Sequence, residues 1–174
     1  LDKYPNCEYV DEAVLGIGNQ KVSLGSYADA VSYLEEFVAA NPDASSAVHI
    51  YIKIGEVYQK HLENNQKARD TYRKIVETYP DDDFLSYAAY QLGMVYKSLE
   101  RDKSAMNVFE KVKKEKKAIY RAAQAEIAKI IAKTDPEKAI ENYKRIVRES
   151  ETPEDSARAT IGIGDVYASM KKYP

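Results

Sequence analysis

The chain has 174 residues, 44% apolar and 31% charged, with a formal net charge of −2 at pH 7. That balance excludes wholesale disorder, and the near-neutral charge argues against a dedicated nucleic-acid binder, which is as a rule strongly basic. A single cysteine, Cys7, excludes an internal disulfide framework, and no apolar run approaches the ~18 residues of a membrane-spanning helix.

Apolar residues recur at helical spacing from one end to the other and no segment sustains strand alternation, so an all-α chain is expected. In chain order, Leu1–Asn6 reads as the tail of a helix stopped at Pro5. A helix over 9–24 then turns through Gly25-Ser26 into one over 27–41, and a second pair covers 46–62 and 65–79. The run Asp81-Asp82-Asp83 lacks the Gly and closing Glu of a calcium loop and reads as capping of the next helix. A third pair is expected at 83–99 and 102–116, with Lys111, Lys113, Lys114, Lys116 and Lys117 as its solvated, dipole-complementing end. A fourth pair covers 118–133 and 136–149, and a last helix covers 154–171. Thr134-Asp135-Pro136-Glu137 and Thr152-Pro153-Glu154-Asp155 are capped starts, with Pro at the first helical position and acids in the first turn.

These helices repeat. Gly18, Gly55, Gly93, Ala128 and Gly164 stand at spacings of 37, 38, 35 and 36, each preceded by Ile17, Ile54, Leu92, Ile127 or Ile163. Tyr58, Tyr96 and Tyr167 come three residues after the small residue, with Lys21 and Ile131 as departures. Ala30, Ala68, Ala105 and Ala139 follow 11 to 13 residues after it, and Leu34, Tyr72, Phe109 and Tyr143 four residues later still. Pro42 and Pro80 each fall 12 residues after their alanine and stop the second helix. Small residues let two backbones approach while the large ones fill the surrounding space. A single helix pair cannot bury its apolar faces, so the pairs are expected to stack into one superhelical core.

Ile-Gly-x-x-Tyr at 54–58 and 163–167, Leu-Gly-x-x-Tyr at 92–96, and the alanine–aromatic pattern of the second helices resemble the tetratricopeptide repeat family. The resemblance covers nearly the whole chain and implies a right-handed α-solenoid of about four and a half helix-turn-helix repeats, at 9–44, 45–82, 83–117, 118–152 and a partial 153–174. Glu77-Thr78-Tyr79-Pro80-Asp81-Asp82 and Tyr87-Ala88-Ala89-Tyr90-Gln91-Leu92-Gly93 are also similar to the longer repeats of bacterial cell-envelope proteins. That branch implies a periplasmic scaffold; similar phrasing in large cytoplasmic repeat proteins leaves the compartment open between the two.

No positioned catalytic set is legible. His49 and His61 stand 12 apart without a Cys partner, and neither Gly16-Ile17-Gly18 nor Gly162-Ile163-Gly164 continues to a dinucleotide loop. The chain is therefore read as a non-catalytic protein-interaction scaffold without cofactor or metal, binding a protein or peptide and not nucleic acid. The alternative is a regulatory or substrate-recruiting repeat segment of a larger enzyme or sensor.

The family resemblance implies that the first helices line a concave face. Their outward positions are Asn19, Glu56, Gln59, Lys60, Tyr87, Tyr90, Met94, Lys97, Lys129 and Lys133, with Tyr87, Tyr90 and Met94 as apolar anchor. Of the carboxylate clamp used by chaperone-tail binders only Asn19 matches; Leu15, Lys53, Tyr87 and Gln91 occupy the other places, and that ligand is rejected. Residues 1–100 hold 9 Lys and Arg against 16 Asp and Glu, a net of −7, whereas residues 101–174 hold 17 against 12, a net of +5. Since Ile163, Val166, Tyr167 and Met170 have no covering helix in the sequence, the chain reads as a fragment of a longer array, with self-association through its last helix expected.

Overall fold

A computed structural model describes residues 9–171. The expectations placed on Leu1–Asn6 and Cys7 lie outside the described residues. Within them the chain forms α1 (Val10–Ser23), α2 (Tyr27–Ala40), α3 (Ala47–Lys60), α4 (Asn65–Thr78), α5 (Leu85–Ser98), α6 (Asp102–Phe109), α7 (Lys117–Ile131), α8 (Pro136–Glu149) and α9 (Pro153–Met170). No strand occurs among the described residues. Each helix packs on the next, and α7 also touches α5 and α9. The result is an all-α repeat solenoid.

The helix ends follow local chemistry. Asn64, Asp135 and Thr152 accept hydrogen bonds from the backbone N–H groups of Lys67, Lys138 and Asp155 and so cap α4, α8 and α9. Asp82 Oδ1 accepts the N–H of Phe84 at 2.7 Å, and Asp83 pairs with Lys116 at 3.0 Å. The turns into α2, α4 and α6 pass through the left-handed region at Gly25 (φ 77°), Glu63 (φ 49°) and Glu100 (φ 57°). Only glycine takes that conformation without a Cβ penalty.

Packing repeats with the sequence period. Ala30, Ala68, Ala105, Ala128 and Ala139 are fully buried, and so are Leu34, Tyr72 and Phe109. In the first three pairs the bulky side chain lies against the glycine of its own pair. A Cβ on Gly18 would meet Leu34 Cδ2 at 2.8 Å, one on Gly55 would meet Tyr72 Cζ at 2.7 Å, and one on Gly93 would meet Phe109 Cε1 at 2.4 Å. The fourth pair differs. Ala128 already carries a methyl group; the Tyr143 hydroxyl donates to the Ala125 carbonyl of α7 at 3.4 Å, and its ring lies against Gly162 of α9, 2.6 Å from where a Cβ would stand. Gly164, which continues the sequence register of Gly18, Gly55 and Gly93, has nothing within 4 Å.

One boundary departs clearly from expectation. The second helix of the third pair ends at Phe109 rather than at 116, so Lys111, Lys113, Lys114 and Lys116 stand in a connecting segment and not on a helix end. Val112 is buried there, only 3% exposed, and the N–H of Lys113 donates to the buried Ser86 Oγ at 3.1 Å. The burial of Val112 and the Lys113 bond to Ser86 at the start of α5 hold the chain out of helical register before α7 begins.

Candidate functional site in the groove of the odd-numbered helices

The odd-numbered helices form one face of the stack. Leu15 and Asn19 of α1, His49, Ile52, Lys53 and Glu56 of α3, Phe84 and Tyr87 at the start of α5, and Lys116 and Ile119 at the start of α7 line one cavity of about 660 Å³, together with Asp83. Helices as far apart in the stack as α1 and α7 can share a cavity only if this face curves inward, which makes it the concave face. Most of its exposed surface is apolar, with Leu15, Ile52, Phe84 and Ile119 set among the stems and tips of seven polar side chains. That is the usual make-up of a binding groove.

His49 and Phe84 meet edge-to-face with ring centroids 4.3 Å apart, an arrangement that orients the Phe84 ring. Tyr87 donates to Glu56 Oε1 at 2.8 Å, while Lys53 and Lys60 lie 3.5 and 3.6 Å from the same carboxylate. Burial works to raise the Glu56 carboxyl, but the Tyr87 hydrogen bond and the two lysines outweigh it and hold the group below its ordinary range. The Tyr87 hydroxyl is pushed up to about 12 by burial and by its bond to Glu56. At neutral pH the groove therefore holds a charged Glu56 and a neutral, hydrogen-bonding Tyr87.

Asn19, Glu56 and Tyr87 are the sequence-predicted residues that this groove brings together. The other seven lie elsewhere. Lys60 is held by Glu56, and Gln59 is partly buried with its Oε1 unpartnered. Tyr90 and Met94, expected in the apolar anchor, are partly buried against the core, with the Tyr90 ring tilted at 5.8 Å from that of Phe109. Lys97 and Lys129 both bond the buried Glu126, and Lys133 bonds Asp102. Lys129 and Lys133 line a second cleft of about 570 Å³ between α7 and α9, with Tyr143, Gly162, Asp165 and Ser169.

Phe84, His49 and Ile119 are groove residues that the sequence reading missed. Phe84 is the residue that caps α5, and the other two lie in the first turns of α3 and α7, before the repeated glycine or alanine that gives the register. A signal for Leu15 and Ile52 existed: each stands three residues before its repeat glycine.

Comparison with known proteins follows the same pattern. The tetratricopeptide repeat family matches twice, at residues 51–82 and 86–119. Among solved structures the chain is similar to a tetratricopeptide repeat protein from Parabacteroides merdae ATCC 43184, with 11% identity and a TM-score of 0.73 over 91% of this chain and 60% of that one. It is also similar to YrrB, described as a TPR protein with an unusual peptide-binding site, at 18% identity and TM-score 0.69 over 99% of this chain and 84% of that one. A third similar structure, the MamA protein, shares 18% identity with a TM-score of 0.66 over 95% and 91% of the two chains. No curated protein sequence matches.

Proposed function

Because the chain belongs to the tetratricopeptide repeat family, we propose that it is a non-catalytic scaffold that holds a segment of a partner protein in the groove of its odd-numbered helices. The carrying observation is the groove itself, in which four successive odd-numbered helices contribute side chains to one largely apolar cavity. Its carboxylates are held by neighbouring groups: Glu56 by Tyr87, Lys53 and Lys60, and Asp83 by Lys116. Apolar floor and fixed polar rim suit an extended peptide with a large apolar side chain seated on Ile52, Phe84 and Ile119. The peptide-binding description of YrrB supports the same use of a repeat face.

The test is a peptide-display selection on the intact chain, followed by binding to the Phe84→Ser and Ile52→Ser variants. Both groove variants are expected to weaken the selected peptides by ~10-fold or more, since each removes a buried apolar contact. Circular dichroism should stay helical. Selected peptides that bind all variants equally would place the partner on another face.

A further inference from the structure

The concave face is not uniform, and its gradient says what chemistry the partner carries. Around the groove, ammonium groups and carboxylates alternate, and Glu56 and Asp83 balance Lys53 and Lys116. Further along α7 the two signs separate by depth. Glu126 is a buried anchor with its side chain 11% exposed, and Asp102 is 30% exposed. The lysines they hold, Lys129 and Lys133, are 57% and 64% exposed. Glu126 is also shared with Lys97, so one carboxylate answers two cations. Burial and Glu126 hold the Tyr90 hydroxyl above its ordinary range, against the opposing charges of Lys129 and the exposed Arg158 of α9. Asp165 is the one exposed carboxylate that lines the cleft among the described residues. Residues 101–174 as a whole have the same sign, with a net of +5 against −7 over residues 1–100.

Resting on the groove reading above, we infer that the partner segment carries, to one side of its apolar anchor, a run of acidic residues that lies over Lys129 and Lys133. The spacing follows from helix geometry. Ile119 in the groove and Lys129 in the cleft lie on the same helix, ten residues apart, which is about 15 Å along its axis. An extended chain covers that distance in roughly four to five residues. Internal acidic side chains serve the purpose, so a free C-terminal carboxylate is not required.

The experiment uses the full chain and synthetic peptides, acetylated and amidated at their ends. Each has a Phe-Leu anchor and, at that spacing on either side, a run of Glu, Ser or Lys. In fluorescence anisotropy at low salt, one placement of the Glu run should bind ~10-fold or more tighter than the Ser peptide, with the Lys peptide weakest; raising the salt should erase the gain. Lys129→Gln with Lys133→Gln should remove that gain and leave the Ser peptide unchanged, while the Arg pair retains it. Phe84→Ser should weaken all peptides. Equal binding of Glu and Ser peptides that Phe84→Ser still weakens would overturn the acidic-run inference and leave the groove reading intact. No binding by any peptide, or indifference to Phe84→Ser, would overturn both.

Discussion

A methyl group at Gly93 would stand 2.4 Å from Cε1 of the fully buried Phe109. Gly93→Ala is therefore expected to destabilise the chain by ~1–3 kcal/mol through overpacking. Gly164→Ala is the control within the same molecule. That residue lies within α9 with nothing near its missing Cβ, so the added methyl should give only the helix-propensity gain, about 0.5–1 kcal/mol. Urea unfolding of the two variants reads both signs. A Gly93→Ala midpoint at or above that of the parent chain would mean that Phe109 can leave its place at little cost.

At the scale of elements, Glu126 joins α5 to α7 through Lys97, with Lys129 of α7 as its second partner. Burial works to raise this carboxyl, and the two lysines overcome that and hold it low. A folded-state pKa below the unfolded one stabilises the fold at pH values above the unfolded pKa, and the contribution is lost as pH falls through the folded value. Glu126→Gln should therefore cost on the order of 1–3 kcal/mol at neutral pH. The gap to the parent chain should narrow as pH falls below about 4.5, the ordinary value. Melting curves from pH 7 to pH 3 check this, and a constant gap would assign the loss to packing.

Element positions were largely legible in the sequence because glycine, alanine, proline and capping residues are local signals that act where they stand. The end of α6 was not. Residues 110–117 read Glu-Lys-Val-Lys-Lys-Glu-Lys-Lys, good helix formers without a breaker. What stops the helix is tertiary: the burial of Val112 and the Ser86 hydroxyl waiting for the Lys113 N–H. The groove was legible to the same degree. Asn19, Glu56 and Tyr87 follow from the repeat register, whereas Phe84 enters because the turn preceding α5 projects it beside His49. Tyr90 was read as exposed on its helix, and the core claims part of it because Phe109 offers an aromatic face beneath.

The described residues contain two apolar clusters rather than one. The larger runs from Val10 through Ile130, and the smaller joins Ala128, Ala139, Ile140, Tyr143, Ile146, Ala159 and Val166. A stack in which each unit touches only its neighbours is stabilised by nearest-neighbour interfaces, so unequal cores give unequal local stability. Native-state hydrogen exchange should show α8 and α9 opening at lower free energy than α3, α4 and α5. Identical opening energies across the chain would instead describe one cooperative unit.

The contact of Tyr143 with Gly162 of the following helix has a consequence for how such an array can grow by gene duplication. The pairs α1–α2, α3–α4 and α5–α6 each contain both halves of their central contact, a glycine and the large side chain that covers it. Any of them can be copied in one piece with that contact preserved. The pair α7–α8 cannot, because the glycine that receives Tyr143 belongs to α9. A copy ending after α8 would set Tyr143 against whatever residue the next unit presents, and a Cβ at that place would collide with the ring. A break after α8 is thus penalised unless the incoming helix brings a glycine of its own.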